Sequence, residues 1–219
     1  MTGVQTERPQ LYLASSSPRR RQLLAQLGVR YHVLTAGIDE RRRDGEAPRD
    51  YARRMAISKA RRAAADPSRD AALPVLAADT VVTVDGTVLG KPVHRDDALS
   101  ALARLSGRSH EVITAVALLH DIEAVRLSVT RVTFRVVHPG EAEAYWETGE
   151  PGDKAGAYAV QGLGAVFVSR LEGSYTGVVG LPLFETAQLL GECGVSVLAP
   201  RGIAETGGDD ASDHDSNCV

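Results

Sequence analysis

A helix begins within the stretch Ala14-Ser15-Ser16-Ser17-Pro18-Arg19-Arg20-Arg21-Gln22-Leu23-Leu24. Ser17 is a favourable N-cap, and Pro18 suits the first helical position because its missing N–H is not needed there. Leucines then recur at helical spacing until Gly28 supplies a stop. Because the short apolar run Leu11–Ala14 directly precedes this helix, the stretch predicts a strand, a turn and a capped helix in sequence.

Three arginines occupy the first turn of this helix, where the helix dipole disfavours a cation by about 0.3–1 kcal/mol each. Free backbone N–H groups and serine hydroxyls at the same turn form a candidate anion site. Arg20 shares a face with the leucines, so we expect its side chain to point into the protein, whereas Arg21 is expected on the surface. A phosphate partner explains the positions of Arg19 and Arg20, and a solvated basic surface is the alternative.

Length and composition indicate one sizeable core in a two-lobed domain, since the chain has 219 residues and 43% hydrophobic content. A net charge of −3 gives no global field that would recruit nucleic acid. The spacing of Cys193 and Cys218 suggests neither a disulfide nor a zinc site. No apolar leader or bilayer-length run is present, so we expect a cytoplasmic protein without a membrane partner.

The chain divides into three parts. Residues 1–9 are expected to form a flexible leader, and residues 10–200 one folded domain. Residues 201–219 form an acidic tail with almost no apolar side chains, for which the composition predicts disorder.

Strands and helices mix along the domain, with both hairpins and crossovers, which predicts an α/β fold with a long mixed β-sheet and flanking helices. The pair Asp85-Gly86 gives the strongest hairpin signal. Strands are predicted over 11–14, 29–35, 73–78, 80–84, 87–89, 110–119, 125–137, 166–171 and 195–198, and helices over 18–27, 50–65, 96–105, 139–148 and 182–190.

A lysine interrupts the apolar stripe of the helix predicted from Asp50. Positions 52, 55, 56, 59, 60 and 63 share one helical face, and all are apolar except Lys59. A lysine in such a stripe is uncommon unless it is paired or functional. Two interpretations stay open: a lysine that snorkels at the edge of the stripe, or a cation that reaches into a cleft.

A carboxylate follows the apolar strand that ends at Ala78. If Asp85-Gly86 forms a two-residue turn, Val82 faces Leu89, and the register places Lys91 beside Asp79. Such a pair suits catalysis, and a surface ion pair that closes the hairpin is the alternative. A metal held by Asp79 and a second carboxylate such as Glu40 would favour catalysis, because Mg²⁺ typically takes one or two carboxylates plus substrate phosphates.

The segment Gly149–Gly164 is rich in small residues, which let the backbone approach a ligand closely. The amide of Gln161 both donates and accepts hydrogen bonds, so it could recognise the edge of a base. A tight structural loop is the alternative.

Together these segments resemble the Maf family of nucleoside triphosphate pyrophosphatases, over roughly residues 10–200 and in consistent order. The matching segments are Leu13–Arg20, Ala78–Val82, Leu89–Pro92, Leu105–Gly107, Gly149–Pro151, Asp153–Tyr158, Gln161–Gly164 and Val179–Pro182.

The resemblance implies a two-lobed fold around a cleft, similar to the inosine triphosphatase group and often dimeric. It implies hydrolysis of a nucleoside triphosphate between the α and β phosphates to a monophosphate and pyrophosphate, with Asp79 as the base. Three positions separate a dTTP/UTP branch from a 7-methyl-GTP branch, and here they carry Arg19, Thr80 and Gln161, which look like the dTTP/UTP set.

We therefore expect a dTTP/UTP pyrophosphatase with a house-cleaning role, possible action on modified pyrimidine nucleotides, and a Mg²⁺ or Mn²⁺ cofactor. Asp79 and Glu40 would hold the metal, Thr80 and Gln161 would face the pyrimidine, and Lys154 would support the cleft. The residues expected to bind phosphate are Ser15, Ser17, Arg19, Arg20, Lys59 and Lys91. The alternatives are a 7-methyl-GTP pyrophosphatase and a nucleotide-binding regulator of septum formation.

Overall fold

The computed structural model describes residues 8–35 and 37–197. Its strands are β1 (Leu11–Leu13), β2 (Tyr31–Val33), β3 (Val75–Val84), β4 (Thr87–Leu89), β5 (Ser109–Leu119), β6 (Glu123–Phe134) and β7 (Val168–Glu172). Its α-helices are α1 (Pro18–Gln26), α2 (Pro48–Ala64), α3 (Arg95–Leu105), α4 (Pro139–Glu147), α5 (Tyr175–Val179) and α6 (Leu183–Glu192). Short 3₁₀ turns cover Glu150–Asp153, Ala155–Ala157 and Leu163–Phe167.

The strands form one mixed sheet, which confirms the predicted fold class. The order is β2-β1-β3-β5-β6-β7, with β4 paired to β3. The β2, β1 and β3 strands run parallel, whereas the other pairs are antiparallel. The connections fit this mixture, because α1 and α2 provide the crossovers that parallel strands need, and short turns join the β3–β4 and β5–β6 hairpins.

The β3–β4 hairpin has the predicted register, with Val82 opposite Leu89. Asp85 and Gly86 both have positive φ, 49° and 73°. A two-residue turn of this kind requires φ above zero at both central positions, which is why Asp-Gly is such a strong local signal.

The edge of β3 has a gap that positions the functional site. Strand β1 pairs with β3 as far as Leu76, and β4 pairs with it from Val82. Residues 77–81 therefore have β5 on one side and, within the described chain, no strand on the other. Side chains alternate along a strand, so Asp79 faces α2 and Thr80 faces the opposite side of the sheet. Both can reach the opening at the gap.

Three apolar clusters hold the sheet between its helices. On one face, alanines of α2 pack against small residues of β3 and β5, which lets the helix approach the sheet closely. On the other face, leucines of α1 and α6 cover β1 and one end of β3, while α3 and α4 enclose aromatic residues near β6. The buried members include Ala52, Ala56, Ala60, Leu23, Leu24, Leu189, Leu190, Leu102 and Phe134.

Several predicted boundaries were wrong. Strand β3 is continuous through Asp79, where two strands were predicted, because β5 pairs along its whole length. The predicted strand over 195–198 is not formed at residues 195–197, since Val195 and Val197 instead pack against the cluster that contains α6. Part of the strand predicted over 166–171 is 3₁₀ turn, and the short helix α5 was missed.

Residues 1–7 of the predicted leader, Leu198 and the predicted acidic tail lie outside the described residues. Across 8–35 and 37–197, no helix combines the length and the apolar character needed to cross a bilayer.

Candidate active site

One cleft of about 920 Å³ opens at the gap beside β3. The residues that the sequence analysis assigned to the site all line it: Ser15, Ser17, Arg19, Arg20, Glu40, Lys59, Asp79, Thr80, Lys91 and Gln161. They come from the turn between β1 and α1, the start of α1, the loop before α2, α2 itself, β3, the segment just after β4 and the loop after α4. The fold therefore brings the separate motifs together.

The serine-rich turn forms the predicted cap of α1. Ser17 Oγ accepts a hydrogen bond from the backbone N–H of Arg20 at 3.5 Å, and Ser15 Oγ accepts one from the N–H of Ser17 at 3.2 Å. Each serine oxygen thus satisfies a helix-terminal donor, and its own hydroxyl proton stays available to a ligand. The turn lies at the cleft with the positive end of the α1 dipole.

The Arg20 side chain points inward, as the helical pattern predicted. Its Nε donates to the carbonyl of Gly180 at 2.7 Å, and Nη2 donates to Thr80 Oγ1 at 3.1 Å. Burial lowers the pKa of the Arg20 guanidinium, and the nearby Asp79 carboxylate opposes that change. Arg20 therefore joins α1 to β3 and to the turn after α5 while it contributes positive charge to the cleft wall.

Lys59 lies between the two acidic side chains of the site. Its Nζ is 2.6 Å from Asp79 Oδ1 and 2.7 Å from Glu40 Oε1. The side chains of Lys59 and Asp79 are only 14% and 12% exposed, so water screens this pair weakly. Of the two interpretations of Lys59, the structure therefore supports the cation that reaches into the cleft, where it is paired with carboxylates.

The hairpin register named Lys91 as the neighbour of Asp79, but Lys59 makes the ion pair. The reason is that Asp79 points to the face of the sheet that α2 covers. Lys91 lies beyond the end of β4 and lines the same cleft. Burial alone would raise the pKa of Glu40, but the hydrogen bond from Lys59 and the charges of Lys59 and Lys91 outweigh it and lower the pKa.

Asp79 and Glu40 are suited to hold a divalent cation. One oxygen of each carboxylate contacts the same positive group, Lys59 Nζ, so the two side chains already converge on one cation. Within the described residues, no cluster of three or more His, Cys, Asp or Glu side chains could hold a metal. Two carboxylates nevertheless match the usual Mg²⁺ arrangement, in which substrate phosphates and water complete the oxygen shell.

The loop after α4 forms the other end of the cleft, and Glu150 fixes its shape. The Glu150 carboxylate accepts hydrogen bonds from Tyr145 Oη at 2.6 Å and from the N–H groups of Leu163 and Gly164 at 3.0 Å. Burial opposes ionisation of Glu150, but these donors lower its pKa overall. These hydrogen bonds hold the segment that carries Gln161 in place.

Two further contacts attach this loop to the rest of the cleft. Arg19 Nη1 lies 3.3 Å from Asp153 Oδ2, and Lys154 pairs with the same carboxylate. The N–H of Gly156 donates to the carbonyl of Gly90 at 3.1 Å, beside Lys91. Gly156 has φ of +73°, and a Cβ there would lie 2.9 Å from Val82, so only glycine fits this approach.

Four participants were missed by sequence reasoning. The Tyr51 hydroxyl donates to the carbonyl of Glu40 at 2.7 Å, which anchors the loop that carries this carboxylate. Thr114, Glu150 and Gly180 act through partners far away in sequence. Of these four, only Tyr51 could have been identified from sequence, because it lies two helical turns before Lys59 and so on nearly the same face of α2.

Comparison with known proteins gives a consistent assignment. The family described as Maf-like protein matches residues 10–193. A dTTP/UTP pyrophosphatase from Alkalilimnicola ehrlichii is 54% identical over 189 residues, which cover 84% of this chain and 93% of that protein. Proteins of the same name from Saccharophagus degradans and Bordetella parapertussis are 53% and 54% identical, covering 82% and 86% of this chain and 87% and 95% of their own lengths.

A solved structure of a nucleoside-triphosphatase, described as a dITP/XTP pyrophosphatase, from Mycobacterium abscessus aligns with 57% of this chain and 72% of its own, with a TM-score of 0.36 and 18% identity. The family match extends over nearly all of the described residues, and it includes every residue that lines the cleft. The chain belongs to the Maf-like protein family.

Proposed function

We propose that the protein is a nucleoside triphosphate pyrophosphatase that hydrolyses dTTP and UTP to the monophosphate and pyrophosphate. The observation that carries this proposal is the convergence of Lys59, Lys91, Arg19 and Arg20 on one cleft beside Asp79. Relatives at 53–54% identity bear the name dTTP/UTP pyrophosphatase, and they match this chain over most of its length.

In the proposed reaction, the triphosphate lies along the cationic wall, where Lys59, Lys91 and the two arginines neutralise its charge. Asp79 orients a water molecule and removes its proton. The water oxygen forms a bond to the α-phosphorus as the bond from that phosphorus to the bridging oxygen breaks, and pyrophosphate leaves. The cations stabilise the charge that develops on the leaving group, an effect worth on the order of 10²–10³ in rate for each contact.

Asp79 and Glu40 would hold Mg²⁺ or Mn²⁺. When bound, the cation supplies Lewis-acid polarisation of the phosphoryl group. Lys59 contacts both carboxylates and so holds them in place before a nucleotide arrives. Tyr51 fixes the backbone at Glu40, so the second carboxylate stays at the mouth of the cleft.

The pyrimidine would lie at the opposite end, between Thr80 and Gln161, with Arg19 nearby. Thr80 is on the face of the sheet away from α2, whereas Asp79 is on the face that α2 covers. The pyrimidine and Asp79 would therefore lie on opposite sides of the gap in the sheet edge. The fixed loop around Glu150 supports this arrangement, because it holds Gln161 at one side of the cleft.

The experiment is a panel of triphosphates, scored for pyrophosphate release with Mg²⁺ and with Mn²⁺. We expect turnover of dTTP and UTP, and Asp79→Asn should reduce it by at least 10²-fold. Asp85→Asn, an exposed aspartate on the same hairpin, is the matched control and should retain activity. If 7-methyl-GTP is hydrolysed in preference to dTTP and UTP, the protein is a 7-methyl-GTP pyrophosphatase and the pyrimidine assignment is wrong. Nucleotide binding without turnover would favour the regulator of septum formation.

The proposal includes a cytoplasmic homodimer that takes neither nucleic acid nor a membrane as partner. The net charge of −3 supports the exclusion of nucleic acid. Light scattering after gel filtration measures the mass, and a value near 23.3 kDa, that of one chain, would contradict the dimer.

A further inference from the structure

The loop before α2, residues 37–47, carries Glu40 and has no helix or strand of its own. The first two turns of α2 hold its backbone instead. The Tyr51 hydroxyl donates to the carbonyl of Glu40 at 2.7 Å, and Arg54 Nη2 donates to the carbonyl of Arg41 at 3.0 Å. Two consecutive carbonyls are therefore fixed at the position from which the Glu40 side chain enters the cleft.

Arg54 holds a second point of the loop through Glu46. Its Nε lies 2.5 Å from Glu46 Oε1 and its Nη2 lies 2.8 Å from Oε2, a bidentate arrangement that fixes orientation as well as distance. Glu46 Oε2 in turn accepts from the backbone N–H of Arg43 at 3.1 Å. The side chains of Arg54 and Glu46 are 21% and 10% exposed, so water screens the pair weakly. Arg54 and Glu46 together form a clamp that joins the loop to α2.

The two carboxylates proposed to hold the metal depend on different supports. Asp79 belongs to β3, where backbone pairing with β5 fixes it. Glu40 is on the loop, its side chain is 54% exposed, and Lys59 contacts only the carboxylate at its end. The clamp acts on the backbone and is independent of that contact. Neither Arg54 nor Glu46 lines the cleft, so an effect of the clamp on the metal passes through Glu40.

We propose that Arg54 is a positioning residue that, through its clamp with Glu46, presents Glu40 to the divalent cation and sets the affinity of the cleft for that cation. A loop that is ordered beforehand loses less conformational entropy when the cation binds, and the affinity is higher for that reason. Loss of a residue that orients a metal ligand typically weakens metal binding about 10–100-fold. The inference rests on the metal assignment in the proposed function and extends it to residues outside the cleft.

The test measures Mn²⁺ binding to the wild type and to Arg54→Met without nucleotide, from the EPR signal of the free ion. Methionine keeps the apolar stem of the side chain and removes every guanidinium contact. We expect the Kd for Mn²⁺ to increase about tenfold. An unchanged Kd would overturn the proposal, and so would a wild type that binds no Mn²⁺.

Activity gives a second readout, which separates positioning from a structural role. In Arg54→Met, the Mg²⁺ concentration for half-maximal release of pyrophosphate from dTTP should rise by about the same tenfold factor, while kcat at saturating Mg²⁺ stays close to that of the wild type. A merely structural role would lower kcat through a smaller folded fraction and leave the Mg²⁺ dependence unchanged. That result contradicts the positioning role.

Glu46→Gln removes the charge from the other half of the clamp and should also weaken Mn²⁺ binding. Because the two residues act through one contact, the double variant should bind Mn²⁺ no more weakly than Arg54→Met alone. Effects that multiply would show that the two side chains act separately, and the clamp would then be wrong.

Arg61→Met is the matched control. Arg61 is also on α2 and also makes a bidentate pair with a glutamate, Glu123, at 2.6 and 3.0 Å, but this pair joins α2 to β6 away from the cleft. Its Kd for Mn²⁺ should equal that of the wild type, and an equal loss in both arginine variants would overturn the specific role of Arg54. A wild type that binds Mn²⁺ but releases no pyrophosphate from dTTP or UTP would instead remove the proposed function and leave the role of Arg54 in place.

Discussion

Lys59 Nζ lies 2.6 Å from Asp79 Oδ1, and this pair joins the middle of α2 to the unpaired edge of β3. Glu40 accepts from the same ammonium, so two carboxylates share one cation. Removal of that charge would leave two carboxylates side by side without the cation between them, and the pKa of Glu40 would lose the hydrogen bond that lowers it. The ion pair therefore couples α2 to the proposed base.

We expect Lys59→Met to lower pyrophosphate release from dTTP by about 10²–10³-fold. Burial opposes ionisation of Glu40, and the hydrogen bond and charge of Lys59, together with the charges of Lys91 and Arg20, keep the pKa of Glu40 below its ordinary value. Without Lys59, the pKa of Glu40 should rise, so the acid limb of the residual pH–rate profile should move to higher pH. Kinetics across pH 5–9 would measure both effects. Arg61→Met, an exposed position on α2, is the control. Activity within threefold of wild type would contradict the prediction.

Arg20→Met should destabilise the fold as well as the site. The substitution leaves the carbonyl of Gly180 and the hydroxyl of Thr80 without their guanidinium donor. The Gly180 residue is buried, and an unsatisfied buried carbonyl costs about 1–3 kcal/mol, so we expect a decrease of about that size in the free energy of unfolding. Urea unfolding measures it. Arg21→Met removes a guanidinium from the adjacent, exposed position and should leave the urea midpoint nearly unchanged. Equal destabilisation by the two variants would show that the contacts of Arg20 do not contribute to stability.

Glu150→Gln should weaken nucleotide binding more than it slows the chemical step. A glutamine has one acceptor oxygen and two N–H donors, so it cannot accept from Tyr145 and from both backbone N–H groups of the loop. The freed loop carries Gln161, so we expect KM for dTTP to increase several-fold with a smaller change in kcat. Steady-state kinetics separate the two. Glu147→Gln, exposed at the end of α4, is the matched control. A decrease in kcat at constant KM would contradict this role.

Local signals predicted the parts of the fold that depend on neighbouring residues. The cap at Ser17 and the turn at Asp85-Gly86 are set by backbone geometry over a few positions, and both were confirmed. Lys59 was singled out because a helical stripe is visible in sequence. The short run 195–197 resembles a strand because two valines flank Ser196, but both valines pack against the apolar cluster around α6, which explains the pattern without strand pairing.

The site contacts that sequence could not predict join residues far apart in the chain. Glu150 has no distinctive feature in the sequence, because its partner Leu163 is thirteen positions later and is brought to it only by the folding of the loop. Asp79 was assigned to the wrong lysine because the hairpin register gives neighbours along an edge but not the face to which a side chain points. Thr114 is flanked by apolar residues on β5, from Val112 to Leu119, where a single buried hydroxyl has no distinctive pattern.

The last prediction concerns His110, which is buried among aromatic rings on the face of the sheet opposite α2. Its Nε2 lies 2.8 Å from Tyr158 Oη, and its ring contacts Phe134 edge-on. Burial lowers the pKa of His110 to about 4. The neutral form is therefore the one that fits the core.

The sign of the pH effect follows from where the proton binds. An unfolded histidine takes up a proton near pH 6.5, whereas folded His110 resists it until about pH 4. Between these values the unfolded state binds more protons, so the free energy of unfolding decreases as the pH falls. The full stabilisation is present above pH 6.5, and its loss by pH 5 is on the order of 2 kcal/mol.

Urea unfolding of the wild type at pH 7.5 and pH 5 should show this decrease, and His110→Gln should reduce it because glutamine does not titrate. His32→Gln changes an exposed histidine and should keep the wild-type difference. Since the comparison is between pH values within each variant, a general loss of stability in His110→Gln cancels. A pH dependence in His110→Gln as large as that of the wild type would assign the effect to other groups and contradict the role of this buried ring.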